Sequence, residues 1–415
     1  MATQALILTC TALVGLLALC APVARWTRLP EPTVQFVVGA VAVWIAVSSG
    51  LDTGLRYQSF HDMVFSLFVP ILVFAAAQSL NWQVLRRDLA PILLLAIVGM
   101  LVTTVLVGAG VYYGIGYPQA FPPIAALLAG VLLAATDPAA VTSQATAVRN
   151  DAQAGSSNRP MERSQVLLEG ESLCNDAAAV TVFAILLSLA LIQTGQATMP
   201  TGEVITLGLL DFGREFSGGL LLGAVLGLGA RWIIRHSPPD TSNHWLTLLL
   251  ALGGYHLGQQ LHVSGVMVCL AAGLLMPQLD HGHLAVWKTL TKTASGTLFL
   301  LMGATVTASM FAHRWLAMLI AIGAVVLARL AVMHLLLGAL PKLAKRGGSG
   351  ERLGPGQRTG LGLLGMRGAI TLALALTLPV ELPYWWTIQS IAYGVVMFDL
   401  LITAPLAPYI IRKLS

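Results

Sequence analysis

The chain is predicted to be an all-α polytopic membrane protein of about 13 transmembrane helices, and three observations predict it. Hydrophobic residues fill 56% of the 415 positions and charged residues only 10%, against about 25% charged in an average soluble domain. Apolar runs of about 18 residues or more, the length that crosses a hydrocarbon core, recur from end to end. The cationic side chains fall almost entirely in alternate loops, the pattern that orients a membrane protein.

The runs lie near residues 3–23, 33–50, 62–80, 90–113, 121–148, 164–192, 206–234, 243–260, 262–279, 285–309, 315–340, 357–379 and 385–411. No Lys or Arg precedes the first run, and Leu19 is large where a cleavage box wants a small residue, so a retained helix is expected there rather than a signal peptide. Arg86 and Arg87 lead into the fourth run, and a polar stretch from Asn150 to Arg163 separates the fifth from the sixth. The seventh ends at Arg231 and Arg235, His256 and His262 flank the turn between the eighth and ninth, and a basic, Gly-rich loop from Lys342 to Gln357 follows the eleventh. Trp385 and Trp386 open the last run as an interfacial belt. No loop is large enough to fold alone, and no soluble regulatory domain is expected.

A net charge of +5 suggests nucleic acid only until the charges are placed. Arg25 and Arg28, Arg86 and Arg87, Arg149, Arg159 and Arg163, Arg231 and Arg235, Lys288 and Lys292, the Lys342 to Arg358 cluster, and Arg412 with Lys413 share one side; Arg56 and Arg314 fall on the other. The positive-inside rule then puts the N-terminus outside and the C-terminus in the cytoplasm, as an odd helix count requires. Membrane lipid, not nucleic acid, is the expected surroundings. Cys10, Cys20, Cys174 and Cys269 all lie within apolar runs with no metal or disulfide spacing, and read as packing residues.

Runs one to six and eight to thirteen enter the membrane from opposite sides. The chain therefore reads as one transporter unit of two inverted six-helix repeats, about 1–192 and 243–415, joined by a linker helix at about 206–234. The fifth helix of each repeat carries a break, Thr136-Asp137-Pro138 in helix 5 and Gly365-Met366-Arg367-Gly368 in helix 12. Unwound backbone inside a bilayer is tolerated only beside a cavity, so paired breaks point to a binding site between crossed discontinuous helices. The plainer alternative is a kink at Pro138 and glycines that permit close packing. It leaves unexplained why each break also carries a charge.

Two carboxylates, Asp137 and Asp176, sit where water is scarce, and a charge at the bilayer centre costs about 2.5–3.5 kcal/mol on insertion scales. In the sixth helix Ser172 and Asp176 are four apart and share a face, with Glu169 on the same stripe nearer the cytoplasmic entrance; Glu171 and Asn175 share a neighbouring face. Arg367 is the charge in the core of helix 12, and Glu171 is expected to be its mate, an orienting pair rather than ligands. The break at Pro138 is expected to leave carbonyls near Thr136 unpaired, the oxygen type that hard monovalent cations take.

Glu169-Gly170-Glu171-Ser172-Leu173-Cys174-Asn175-Asp176-Ala177, Ala135-Thr136-Asp137-Pro138, Gly365-Met366-Arg367-Gly368-Ala369-Ile370 and His262-Val263-Ser264-Gly265-Val266 closely resemble the NhaP-type sodium/proton antiporters and the related animal sodium/proton exchangers. The resemblance covers nearly all of the chain in the right order. It implies a homodimer with a core domain that includes helices 5, 6 and 12, working by elevator-like alternating access for sodium and pH homeostasis. Carried over by position, Asp176 is the shared proton and cation site; Asp137, Ser172 and the Thr136 carbonyl complete the coordination, and Asn175 is a structural neighbour. Na+ or Li+ and H+ are the expected substrates, with K+ as the alternative cation; no cofactor and no enzymatic activity are expected. Two departures bear on secondary ligands. Phe74-Ala75-Ala76-Ala77-Gln78 carries no acid where many relatives have one, and Gln259 stands where relatives often have Glu.

The expected mechanism is competition at one desolvated carboxylate, either one cation or one proton per half-cycle, giving electroneutral exchange. A cation channel would also line its path with carboxylates, but paired breaks in inverted repeats suit alternating access better. An intramembrane hydrolase using Ser172 lacks any accompanying catalytic motif. Arg329 and His334 read as core support or surface groups, His256 and His262 as polar turn residues, and Asp211, Arg214 and Glu215 as an ion-paired group opening helix 7. Asp399, buried in an apolar run, has no evident partner in the sequence.

Overall fold

The structure, a computed structural model, describes residues 2–50, 63–80, 82–115, 121–137, 159–195, 201–237, 244–276, 281–339 and 354–414. Helix occupies each of the apolar runs, and no strand occurs among the described residues. The helices are α1 (Ala2–Thr27), α2 (Glu31–Ser48), α3 (a π turn Val64–Phe68 running into Val69–Ser79) and α4 (Trp82–Leu93, a π stretch Leu94–Gly99, then Met100–Ile115). They continue with α5 (Pro123–Ala134), α6 (Arg159–Gln193), α7 (Thr201–His236), α8 (His244–Gln260), α9 (Gly265–Leu275), α10 (His281–Ala304) and α11 (Ala308–Ala339). The twelfth is in two pieces, α12a (Pro355–Leu363) and α12b (Ala369–Leu376), and α13 runs from Trp385–Phe398 through a π turn Asp399–Thr403 to Ala404–Leu414. Pro138, the rest of the fifth apolar run, most of the stretch from Asn150 to Arg163 and most of the basic loop after α11 lie outside the described residues.

Among the described residues α2, α4, α6, α7, α11 and α13 contain spans long and apolar enough to cross a bilayer by length and composition. Prolines mark where several helices start. Pro32 in the first turn of α2 and Pro123 opening α5 occupy positions whose N–H has no intrahelical partner in any case. Elsewhere proline releases a carbonyl that another helix must satisfy. Pro70 has no N–H to offer the turn before it, and the Ser66 carbonyl instead meets His256 Nε2 at 3.2 Å. Pro405 follows the π turn of α13, and the Leu400 carbonyl, which that register would pair with residue 405, accepts from Thr33 Oγ1 at 2.5 Å. Each proline thus fixes a contact between distant helices.

Packing divides the helices into two groups. In one, α4 lies along α5 and α11, α5 along α6, and α11 along α13 and α12a. In the other, α2 lies on α10, α3 on α9 and α10, and α9 on α7 and α8. The groups meet where α6 packs on α7 and α9 and where α10 meets α12b. Helix association in lipid depends on close approach rather than water release, so small residues decide where backbones touch. A Cβ at Gly39 of α2 would collide with the Leu300 carbonyl of α10, and one at Gly303 of α10 with the Phe36 carbonyl of α2. The outer surface is apolar, with Trp44, Val105, Leu221, Val225, Leu319 and Leu327 exposed, as a lipid-facing surface requires.

Candidate cation and proton site

α5 stops at Ala134, and Ala135 already has an extended backbone (φ −61°, ψ 135°) ahead of the Asp137-Pro138 step. That agrees with the tendency of a helix to end at or before the residue that precedes a proline. α12 stops at Leu363 and restarts at Ala369, leaving Leu364 to Gly368 unwound. The two breaks cross and are bonded to each other. The Asp137 N–H donates to the Met366 carbonyl at 2.7 Å. Arg367 donates from Nε to the Leu133 carbonyl at 2.9 Å and from Nη1 to the Gly365 carbonyl. Gly368 carries no side chain for want of room: a Cβ there would collide with the Asp137 carboxylate.

A helix end exposes carbonyls with no intrahelical partner, and in a membrane interior each needs one. The freed end of α5 is satisfied from α6 and α12. Leu133 takes Arg367, Ala134 takes Asn175 Nδ2 at 2.9 Å, and the Thr136 carbonyl accepts from Ser172 Oγ. Asn175 thereby ties α6 to the freed end of α5. Ser172 and Asp176 project from one face of α6 toward this break, and both are buried, Asp176 at 6% exposure. Asp137 is near enough to Asp176 for the two charges to interact. Among the described residues, the buried oxygens Asp176 Oδ1 and Thr136 Oγ1 have no hydrogen-bond partner. Carboxylate, hydroxyl and carbonyl oxygens from two chain segments make a donor set suited to a small hard cation or, at the carboxylate, a proton.

Two expectations are corrected. The mate of Glu171 is Arg329 of α11, not Arg367: Arg329 grips both carboxylate oxygens, Nη2 to Oε2 at 2.7 Å, with the side chains 3% and 1% exposed. Arg367 instead spends Nε and Nη1 on carbonyls released at the breaks, where helix C-termini carry partial negative charge. Glu169, expected along a cytoplasmic approach, is buried at 5% exposure rather than open to water. Residue reading also missed the partner of Asp399, which accepts the Arg367 backbone N–H at 2.8 Å and the Thr403 hydroxyl at 3.0 Å. The available signal was its burial in an apolar run, the same signal that singles out Asp176.

One turn beyond Asp176 on α6, a cavity of about 820 Å³ opens between α6, α7, α8 and the turn before α9. Thr181, Asp211, Glu215, Gln259 and His262 are among its lining residues. Asp211 pairs with Arg214 at 3.1 Å in an exposed setting. Gln259 donates to the Tyr255 hydroxyl at 3.3 Å, and His262 turns the chain in a left-handed conformation (φ 54°), so both histidines have turn and bridging roles.

Residues 14–411 match the family described as "Sodium/hydrogen exchanger, transmembrane". The chain is 31% identical to the Na(+)/H(+) antiporter NhaP of Pseudomonas aeruginosa over 91% of its own length and 89% of that protein. It is 31% identical to the Na(+)/H(+) antiporter ApNhaP of Aphanothece halophytica over 85% of its length, and spans 65% of that longer protein. Its fold is similar to that of the sodium proton antiporter MjNhaP1 from Methanocaldococcus jannaschii at pH 8, with a TM-score of 0.74, 20% identity and 99% of each chain covered.

Proposed function

We propose that this chain, which belongs to the sodium/hydrogen exchanger family, is a multi-pass membrane antiporter that exchanges Na+ or Li+ for H+ at Asp176. One observation carries the site: a buried carboxylate, with one oxygen lacking a partner among the described residues, stands beside a broken helix whose Thr136 carbonyl is held by Ser172 on the same face of α6. An isolated buried charge is costly, so the carboxylate is either protonated or matched by a cation, and the two states exclude each other. Asp137, Ser172 and Thr136 complete the cation's oxygen set. Glu171, Arg329, Asn175 and Arg367 hold the helices that present it.

Movement follows the packing. The group formed by α4, α5, α6, α11, α12 and α13 carries the whole site and shifts as a core against the group formed by α1, α2, α3, α8, α9 and α10, with α7 as the joint. Inverted-repeat symmetry supports this division, because exchanging the repeats turns the α2–α10 contact into the α9–α3 contact and the α1–α2 contact into the α8–α9 contact, and all four occur. The close approach repeats as well: Gly39 faces a carbonyl of α10, and Gly273 of α9 faces the Phe74 carbonyl of α3. The second group supplies the seam of a homodimer, and the distribution of Arg and Lys supports an N-terminus outside and a C-terminus in the cytoplasm.

With Asp176 as the exchanging acid, beside an Asn175 that cannot ionise, one proton is returned for each cation and exchange is electroneutral. Everted vesicles challenged with NaCl, LiCl and KCl report which cation drives proton release. Clamping the membrane potential at zero and then at an imposed value leaves the rate unchanged for one-for-one exchange. A clear voltage dependence overturns the stoichiometry, and proton release without any cation dependence overturns the function.

A further inference from the structure

The peptide unit that joins Met366 to Arg367 is used at both ends. Its carbonyl accepts from the Asp137 backbone N–H at 2.7 Å, and its N–H donates to Asp399 Oδ2 at 2.8 Å. The other carboxylate oxygen of Asp399 accepts from Thr403 Oγ1 at 3.0 Å, and Asp399 is 4% exposed. Asp399 is therefore linked to Asp137 through one peptide plane.

We propose that Asp399 is a positioning residue for the cation site, fixing the Met366–Arg367 peptide and, through it, the backbone and carboxylate of Asp137. The inference rests on the exchange function proposed above. The surroundings of Asp399 support it. The π turn Asp399–Thr403 closes with the Ala404 N–H on the Asp399 carbonyl, and Pro405 leaves the Leu400 carbonyl to Thr33, so Asp399 is anchored on both its backbone and its side chain. Unwinding between α12a and α12b frees backbone N–H groups at the start of α12b, and a carboxylate matches the partial positive charge there. A charged acceptor makes a shorter and stronger bond than a neutral one, and it polarises the peptide so that the carbonyl at the far end accepts more strongly from Asp137. Because Gly368 leaves no slack beside the Asp137 carboxylate, rotation of this peptide displaces a ligand. In the inverted-repeat reading, Asp399 stands against the break of the second repeat as Asp176 does against the first. One carboxylate is occupied with protein donors, and the other is kept for the cation.

The test uses the full chain in everted vesicles, with half-saturating Na+ and maximal rate per transporter measured for Asp399→Asn, Asp399→Glu and Thr403→Val. Loss of the charge in Asp399→Asn raises half-saturating Na+ about tenfold while the maximal rate stays within about twofold, since a charge-assisted bond becomes a neutral one. Asp399→Glu restores most of the affinity, and Thr403→Val shifts half-saturation in the same direction by a smaller factor. A variant that loses maximal rate alone, with half-saturation unchanged, overturns the inference. Should Asp399→Asn fail to accumulate, wild-type half-saturation in Thr403→Val overturns it. Wild-type vesicles without Na+-dependent proton flux overturn instead the function on which the inference rests.

Discussion

Arg329 holds Glu171 through its two terminal guanidinium nitrogens, and the pair lies against the break of α12, where a side chain at Gly365 would collide with Arg329. A buried bidentate pair of this kind orients α6 relative to α11 and α12, and its loss leaves a lone charge in a dry interior. Removing either partner costs about 3–5 kcal/mol, while replacing both with apolar residues of similar volume costs far less. Glu171→Ala and Arg329→Ala are each expected to lower the detergent-solubilised melting temperature strongly, and Glu171→Leu with Arg329→Met to recover much of it. Arg329→Lys does not substitute, because a point charge cannot match both oxygens. Additive losses in the double variant would refute the pairing.

Asp176→Asn keeps the shape and removes the exchangeable charge. Cation-driven proton movement is expected to vanish while expression and melting temperature stay near wild type, because Asp176 Oδ1 has no partner among the described residues to lose. Dissipation of a pH gradient by this variant at a wild-type rate would exclude Asp176 as the shared site.

Ser172→Ala removes the hydroxyl that holds the Thr136 carbonyl, and Gly368→Ala forces a Cβ into the Asp137 carboxylate. Both are expected to weaken Na+ binding by about tenfold or more, the equivalent of about 1.4 kcal/mol. Gly356→Ala in α12a meets nothing within 4 Å and is the matched control, expected to behave as wild type. Half-saturating Na+ in vesicles measures all three.

One proton competing with one cation makes half-saturating Na+ climb about tenfold per pH unit on the acid side of the activity profile, by linkage between the two ligands. The same titration in Asp137→Asn separates the roles of the two acids. Steepness that survives there places the exchangeable proton on Asp176, and a flattened dependence places it on Asp137. A slope near a hundredfold per unit in the wild type would indicate two protons and overturn one-for-one exchange.

Composition, periodicity and charge placement by themselves determined the fold class and the helical segments found among the described residues, because a bilayer permits few solutions and each needs a long apolar run. The same cost of burying charge singled out Asp176, Asp137 and both breaks, since a carboxylate or an unwound turn in hydrocarbon stands out without any knowledge of its neighbours. What the tertiary structure decided is which charge meets which. Glu171 lies 158 positions from Arg329 and Asp399 lies 32 from Arg367. One turn of rotation or a small shift along a helix axis would exchange such partners without altering a hydrophobic pattern. Arg367 was the natural mate for Glu171 only while the carbonyls freed at the breaks went uncounted; those carbonyls exist because the helices stop, and their direction is fixed only when α5 and α12 cross. Helical periodicity records which face is apolar, whereas the pairing of buried polar atoms depends on backbone geometry between segments far apart in the chain.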